Sequence, residues 1–386
     1  MNDFLHFLET SYTAYQAAEN ARTLLQAHGF RELDEGAPWD LQPQGKYFVV
    51  RGGSAVIAFV CGDAKKGFKI ASHLDSPCLK LKENPALSDG HCTRLNAEPY
   101  GGGIWHTFFD RPLRLAGRVV REENGALRAL PFASDFLVSL PSLAIHLDRE
   151  VNEKFAPNLQ ENLPLLTLGQ KDFYDLLRGP VSYDLYAACA EKPYFWGADG
   201  EFLSSPRLDD LASAYASLHT LAETPCDGVC VATCLDAEEI GSRTRQCAGG
   251  DFLRAVLARI AQAQSLTQAD YYAALAASFC ISIDNAQGFH PNYPAKFDPA
   301  YLGKGVALKS HAGGAYATDA LAAAVVRTVF SRAGAPLQVF YNRSDMRSGG
   351  TLGTISIGQA SVLTADIGIP QLAMHSAVET IACADF

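Results

Sequence analysis

Residues 229–244 read VCVATCLDAEEIGSRT. A run rich in Val and Cys ends at Asp236, and two glutamates, Glu238 and Glu239, follow side by side. The unbroken apolar run predicts a strand buried on both faces, the kind that lies in a parallel sheet between helices. The acids at its end are the anomaly. Like charges repel, and burying either is costly unless positive charge stands close by. Water must solvate both, or a cation must be held there.

Working outward, the run is framed by helical patterns. RLDDLASAYASLHTLAET (207–224) precedes it and DFLRAVLARIAQA (251–263) follows, before a further apolar run, ASFCISIDNA (277–286). Towards the N-terminus, TAYQAAENARTLLQAH (13–28) reads as a helix, and KYFVVRGG with SAVIAFVCG reads as two strands around a Gly-Gly hairpin. GFKIASHLD (67–75) is a third strand. This alternation predicts an α/β fold, a mostly parallel sheet sandwiched by helices. Between about 84 and 202 the texture changes to short β-like pieces and more proline. We expect a discontinuous catalytic domain, residues 1–83 plus 203–386, carrying an inserted β-rich domain at 84–202.

With 48% hydrophobic and 19% charged residues in 386, the chain can bury a large core. A net charge of -10, with no basic run, argues against nucleic acid or an anionic membrane as partner. No apolar run approaches the roughly 20 residues of a membrane span. MNDFLHFLET has an acid where a signal peptide carries basic residues and predicts an amphipathic helix instead. Most of the ten cysteines lie in apolar surroundings, so reduced thiols and a cytoplasmic location are expected. Cys226, Cys230 and Cys234 lack the spacing of a metal knuckle.

Five places share one grammar, an apolar run ending in an imidazole or a carboxylate. They hold His73 with Asp75, then Asp209, the pair Glu238 and Glu239, Asp284, and His375. Functional groups of open α/β sheets gather at the carboxyl ends of strands. A single Asp there is usually a helix cap, and a lone His is usually an ordinary hydrogen-bonded residue. Five such endings together supply the mixed nitrogen and oxygen donors that suit zinc, or cobalt and manganese. Asp75, two residues beyond His73, either orients that imidazole or caps a turn with Ser76 and Pro77.

The blocks ASHLDSPCLKLK, YGGGIWHTFFDR, LPSLAIHLDREVNEKFAPN, SPRLDDLAS, DAEEIGSRTRQ, DNAQGFHPNYPAKF and DIGIPQLAMHS occur in this order along the chain. In that order they resemble the M18 metallopeptidases, the aspartyl aminopeptidase family, over the whole length. The resemblance implies a hydrolase with two divalent metal ions. His73 and Asp284 would hold one, Glu239 and His375 the other, and Asp209 would bridge them. Glu238 would be the general base and Asp75 a supporting catalytic residue. Lys309 and Tyr316, seven residues apart, would receive an acidic N-terminal side chain of a peptide substrate. His146 would reach a neighbouring subunit's site in a homododecamer built from dimers, and Gly349 and Gly350 would let substrate approach the backbone. Gln287 stands where the family often has His. A preference for neutral N-terminal residues, or an assembling scaffold without activity, are the alternatives.

Overall fold

The computed structural model describes residues 1–70, 72–88, 91–167, 173–296, 300–346 and 349–386. Its central sheet has nine strands, ordered Arg31–Glu32, Lys46–Arg51, Ala55–Val60, Gly228–Cys234, Asp63–Ile70, Phe279–Ile283, Leu363–Gly368, Val306–Lys309 and Leu337–Phe340. The Gly52-Gly53 turn, with both residues at positive φ, closes the expected hairpin between Lys46–Arg51 and Ala55–Val60. The third expected run forms the strand Asp63–Ile70 and then a bridge between His73 and Leu235, with Ala71 outside the described residues.

Helices cover both faces. In Ala55–Val60 the side chains alternate: Val56, Ala58 and Val60 meet helices Asn2–Thr10, Ala14–Ala27 and Leu208–Glu223 in one core. Ala55, Ile57 and Phe59 face a second core with Phe252, Val256 and Ile260 of helix Phe252–Ala263. Both sets are buried, which is why the strand reads as continuously apolar.

The sheet is mixed, where a mostly parallel one was expected. Ala55–Val60 runs antiparallel to both neighbours, and Val306–Lys309 runs antiparallel to Leu363–Gly368. A two-glycine hairpin can join strands only in opposite directions, and that hairpin places an antiparallel strand against Gly228–Cys234.

A second sheet of six strands is antiparallel throughout, ordered Ala126–Val138, Leu113–Glu123, Ser182–Cys189, Cys78–Ser88, Thr93–Tyr100 and Leu165–Thr167. Asn124 and Gly125, both at positive φ, turn its longest hairpin. This sheet starts at Cys78, so the expected boundary at 84 falls inside a strand. A five-stranded sheet joins Phe202–Ser205 to Glu379–Ala382 near the chain's end. It brings the last residues beside the start of helix Leu208–Glu223.

The thiols expected to be reduced are not all free. Cys226 lies just before strand Gly228–Cys234 and Cys230 within it, and the bend at Asp227-Gly228 brings their Cα atoms to 6.1 Å, joined as a disulfide. Cys61, Cys78, Cys189, Cys234, Cys247 and Cys280 are buried free thiols. No helix among the described residues is long and apolar enough to cross a membrane.

Candidate metal centre

Two groups of donors converge at the carboxyl edge of the central sheet. In the first, ligand atoms of His73, Asp209, Asp210 and Asp284 all lie within 4.8 Å of one another; in the second, those of Asp209, Glu239 and His375 do so. Asp209 belongs to both, and its two oxygens divide the work. Oδ1 is 3.8 Å from His73 Nε2, while Oδ2 is 3.6 Å from His375 Nε2. Glu239 Oε1 lies 3.4 Å from the same His375 nitrogen.

Local structure explains how adjacent glutamates reach one place. Strand Gly228–Cys234 has ended, Ala237 takes a left-handed φ of 61°, and Glu238–Ile240 form a single tight turn closed by Gly241 at φ 85°. Side chains of a continuing strand would have faced opposite ways. Asp75 fixes this turn from behind. Its Oδ1 accepts the Glu238 N–H at 3.0 Å, and its Oδ2 accepts the Glu239 N–H at 3.1 Å. Oδ1 also stands 3.4 Å from His73 Nδ1, so the opposite nitrogen is the one presented to the cluster. One carboxylate thus stands beside the His73 imidazole and holds the Glu238–Glu239 turn, which is not the turn with Ser76 and Pro77 expected of a cap.

The inserted sheet reaches the same place. Tyr100, the last residue of strand Thr93–Tyr100, donates its hydroxyl to Asp75 Oδ2 at 2.9 Å. Two residues on, the Gly102 carbonyl lies 3.1 Å from His375 Nδ1, which leaves Nε2 for the carboxylates. A Cβ on Gly101 would come within 3.1 Å of the Glu239 Cβ, so the glycine run is what lets this loop close over the acids. Removing the Tyr100 hydroxyl leaves a buried, charged acceptor short of one partner. Tyr100→Phe is therefore expected to keep the fold and to weaken zinc binding or turnover about 10-fold, read by zinc titration alongside kcat.

Asp210, Tyr100 and Gly102 were missed by sequence reasoning. Asp210 had a visible signal, since the doubled acid of Leu-Asp-Asp-Leu repeats the pattern of Glu238-Glu239. Tyr100 and Gly102 had none, because their roles depend on how one sheet docks on another.

The remaining expected site residues are less uniform. Lys309 is 2% exposed; its Nζ donates to the Asn285 carbonyl at 2.8 Å and lies 3.4 Å from Asp284 Oδ2. The ring of Tyr316 stands 5.4 Å from that ammonium. Gly349 and Gly350 are exposed, and a Cβ on either would meet nothing within 4 Å, so the fold itself does not demand glycine there. His146 is exposed among exposed Leu143, Ile145 and Leu147, and belongs to neither donor group.

The cluster's charges call for a cation. Buried Asp209 Oδ1 and Asp210 Oδ1 have no hydrogen-bond partner, a costly state unless something positive completes them. Burial, the largest influence, pushes the Glu238 carboxyl from 4.5 up to about 7 and Asp284 from 3.8 up to about 6. It also raises Asp210 and Glu239 well above their ordinary range. For His375, burial opposes protonation, but Asp209 and Glu239 outweigh it and carry the imidazole from 6.5 up to about 10. The donors thus fit a divalent ion that takes oxygen and nitrogen together.

These shifts fix a sign. A group that holds its proton more tightly when folded stabilises the fold fully below its unfolded value, and loses that contribution as pH rises through the folded value. Glu238 spans 4.5 to about 7 and His375 spans 6.5 to about 10. Metal-stripped protein is therefore expected to melt lower at about pH 8 than at about pH 5. Zinc, which favours the ionised carboxylates, should remove most of the difference in melting curves.

Imidazoles and carboxylates buried together at strand ends are the layout of a metal-dependent hydrolase. The family model for the aminopeptidase I zinc metalloproteases (M18) matches residues 7–175 and 177–386, and the chain belongs to that family of metalloaminopeptidases. It is 38% identical to the probable M18 family aminopeptidase 2 of Clostridium acetobutylicum, over 96% of this chain and 92% of that protein. The Ectopseudomonas mendocina protein of the same description is 36% identical over 96% and 92%. Among solved structures, the M18 aminopeptidase of Thermotoga maritima superposes with a TM-score of 0.87 at 26% identity, covering 100% of this chain and 92% of that one. A chain from the complex of Ape4 and Nbr1 gives 0.94 at 32%, covering 100% and 82%. The S. cerevisiae mApe1 dodecamer gives 0.86 at 26%, covering 100% and 93%.

Proposed function

We propose that this metalloaminopeptidase works with two ions and removes N-terminal residues, acidic ones preferred, from peptides. One observation carries the two-ion reading: the oxygens of Asp209 face different imidazoles and belong to different donor groups. His73 and Asp284, with Asp210 beside them, would hold one ion; Glu239 and His375 would hold the other. Bound zinc supplies Lewis acidity to the scissile carbonyl and to the attacking water.

Glu238 lies next to a ligand yet outside both donor groups, which leaves its carboxylate free to move a proton. It takes a proton from the attacking water as the water oxygen bonds to the carbonyl carbon. It then passes that proton to the departing amine nitrogen as the C–N bond breaks. Asp75 keeps the Glu238 backbone in place throughout.

The acidic preference rests on Lys309, a buried ammonium beside the cluster with Tyr316 against it. The pairing of Lys309 with Asp284 favours the second reading, a neutral preference, because a substrate carboxylate would have to compete with that partner. Turnover of Asp-, Glu- and Leu-linked chromogenic amides separates the two, and a clear preference for Leu overturns the acidic one. Chelation is expected to abolish turnover of every amide, and added zinc to restore it. Metal content per chain, measured by atomic emission, tests the count; one ion at saturation contradicts two.

The six-stranded sheet would serve as the assembly domain of a homododecamer. Exposed Leu143, Ile145, Leu147, Phe155 and Leu159 along its loop support that role, with His146 carried among them.

A further inference from the structure

Glu379 opens strand Glu379–Ala382 and is 1% exposed. Its two oxygens have separate partners. Oε2 accepts the backbone N–H of Asp209 at 2.9 Å, and Oε1 accepts the backbone N–H of His375 at 2.7 Å. These are the residues whose side chains meet at 3.6 Å in the second donor group. Glu379 itself belongs to neither group.

Neither amide sits in regular structure. Asp209 has φ −85° and ψ 106°, off the geometry of the helix it opens, and His375 has φ 67°, a region that residues other than glycine avoid. The five-stranded sheet brings their segments close, with Ser205 opposite Glu379 and Leu372 opposite Thr380, but both residues lie beyond the paired positions. They come from segments far apart in sequence, and one carboxylate ties them together.

We propose that Glu379 is a positioning residue that sets the spacing between Asp209 and His375 through their backbones. On the two-ion reading, on which this rests, it thereby sets the grip of one donor group on its ion. Only a carboxylate can do this at both ends. A glutamine offers one acceptor and one NH2, so one of the two amides would face a donor. An aspartate keeps both acceptors but falls short by one methylene.

The test is zinc titration of the metal-stripped full chain, wild type against Glu379→Gln and Glu379→Asp. Melting of the zinc-free proteins, kcat and KM are measured in parallel. Glu379→Gln is expected to hold its more weakly bound zinc about 10- to 100-fold less tightly. Its kcat should fall with KM little changed, and its zinc-free melting temperature should stay near that of wild type. Glu379→Asp should lie between the two.

Unchanged zinc affinity in a folded Glu379→Gln overturns the proposal, and so does a loss of zinc-free stability with affinity intact. If neither variant folds, the carboxylate serves the fold and not ligand spacing, which also overturns it. A wild-type chain that takes up no zinc removes the two-ion reading and this proposal together. Wild type binding two ions with Glu379→Gln binding them equally removes the proposal alone.

Discussion

Asp209→Ala is expected to abolish zinc uptake and peptidase activity together while leaving a folded protein. Asp209 offers one oxygen to each imidazole and is, among the described residues, the one shared by both donor groups, so its substitution strips both at once. Its carboxylate stays below the usual range although burial, the strongest influence, works to raise it; the His375 hydrogen bond and the charge of His73 prevail. Without metal, the acids left behind gain from its removal, because Asp209 raises the proton affinity of Asp210, Glu239 and Asp284. That relief offsets only part of the lost attraction between Asp209 and the two imidazoles, so the zinc-free variant should fold but melt somewhat lower than zinc-free wild type near neutral pH, and the rise in melting temperature that zinc gives wild type should vanish. A variant that still binds two zinc ions contradicts the bridging role.

Glu238→Gln should separate chemistry from metal binding. The side chain keeps its size, and the backbone N–H that Asp75 accepts is untouched. Zinc content and the zinc-dependent rise in melting temperature should match wild type, because Glu238 lies outside both donor groups. An amide cannot take a proton from water near neutral pH, so kcat should fall by about 10²- to 10⁴-fold. Single-turnover rates with equal metal loading check this. Loss of zinc along with activity would instead make Glu238 a ligand. The two variants form a contrast: one loses metal and rate together, the other loses rate alone.

Much of this centre was legible in the chain because it is written at strand ends. His73, Glu238, Glu239, Asp284 and His375 come at or just beyond the end of an apolar run, a local signal, whereas Asp209 follows Ser-Ser-Pro-Arg-Leu and shows only as an acid at a helix start. The helices were legible for the same reason. Thr13 caps Ala14–Ala27, and the acids at 209 and 210 open Leu208–Glu223. Strand direction was less legible, because burial on both faces looks alike whether a neighbour runs parallel or antiparallel. Ala55–Val60 is apolar throughout, yet a hairpin had already fixed its direction.

The amino-acid sequence by itself determined the donor types, the elements that carry them and the turn that lets Glu238 and Glu239 share one place. Periodicity, capping and turn residues act over a few positions, and their physics is local. Tertiary structure decided which groups those donors touch. Tyr100 meets Asp75, Gly102 meets His375, Glu379 spans Asp209 and His375, and Lys309 is claimed by Asp284. Each contact joins segments separated by strands or whole sheets, or, for Glu379 and His375, depends on a backbone turn stabilised by such a contact. Their geometry is set by how three sheets pack, and hydrophobic burial, which drives that packing, carries no direction of its own.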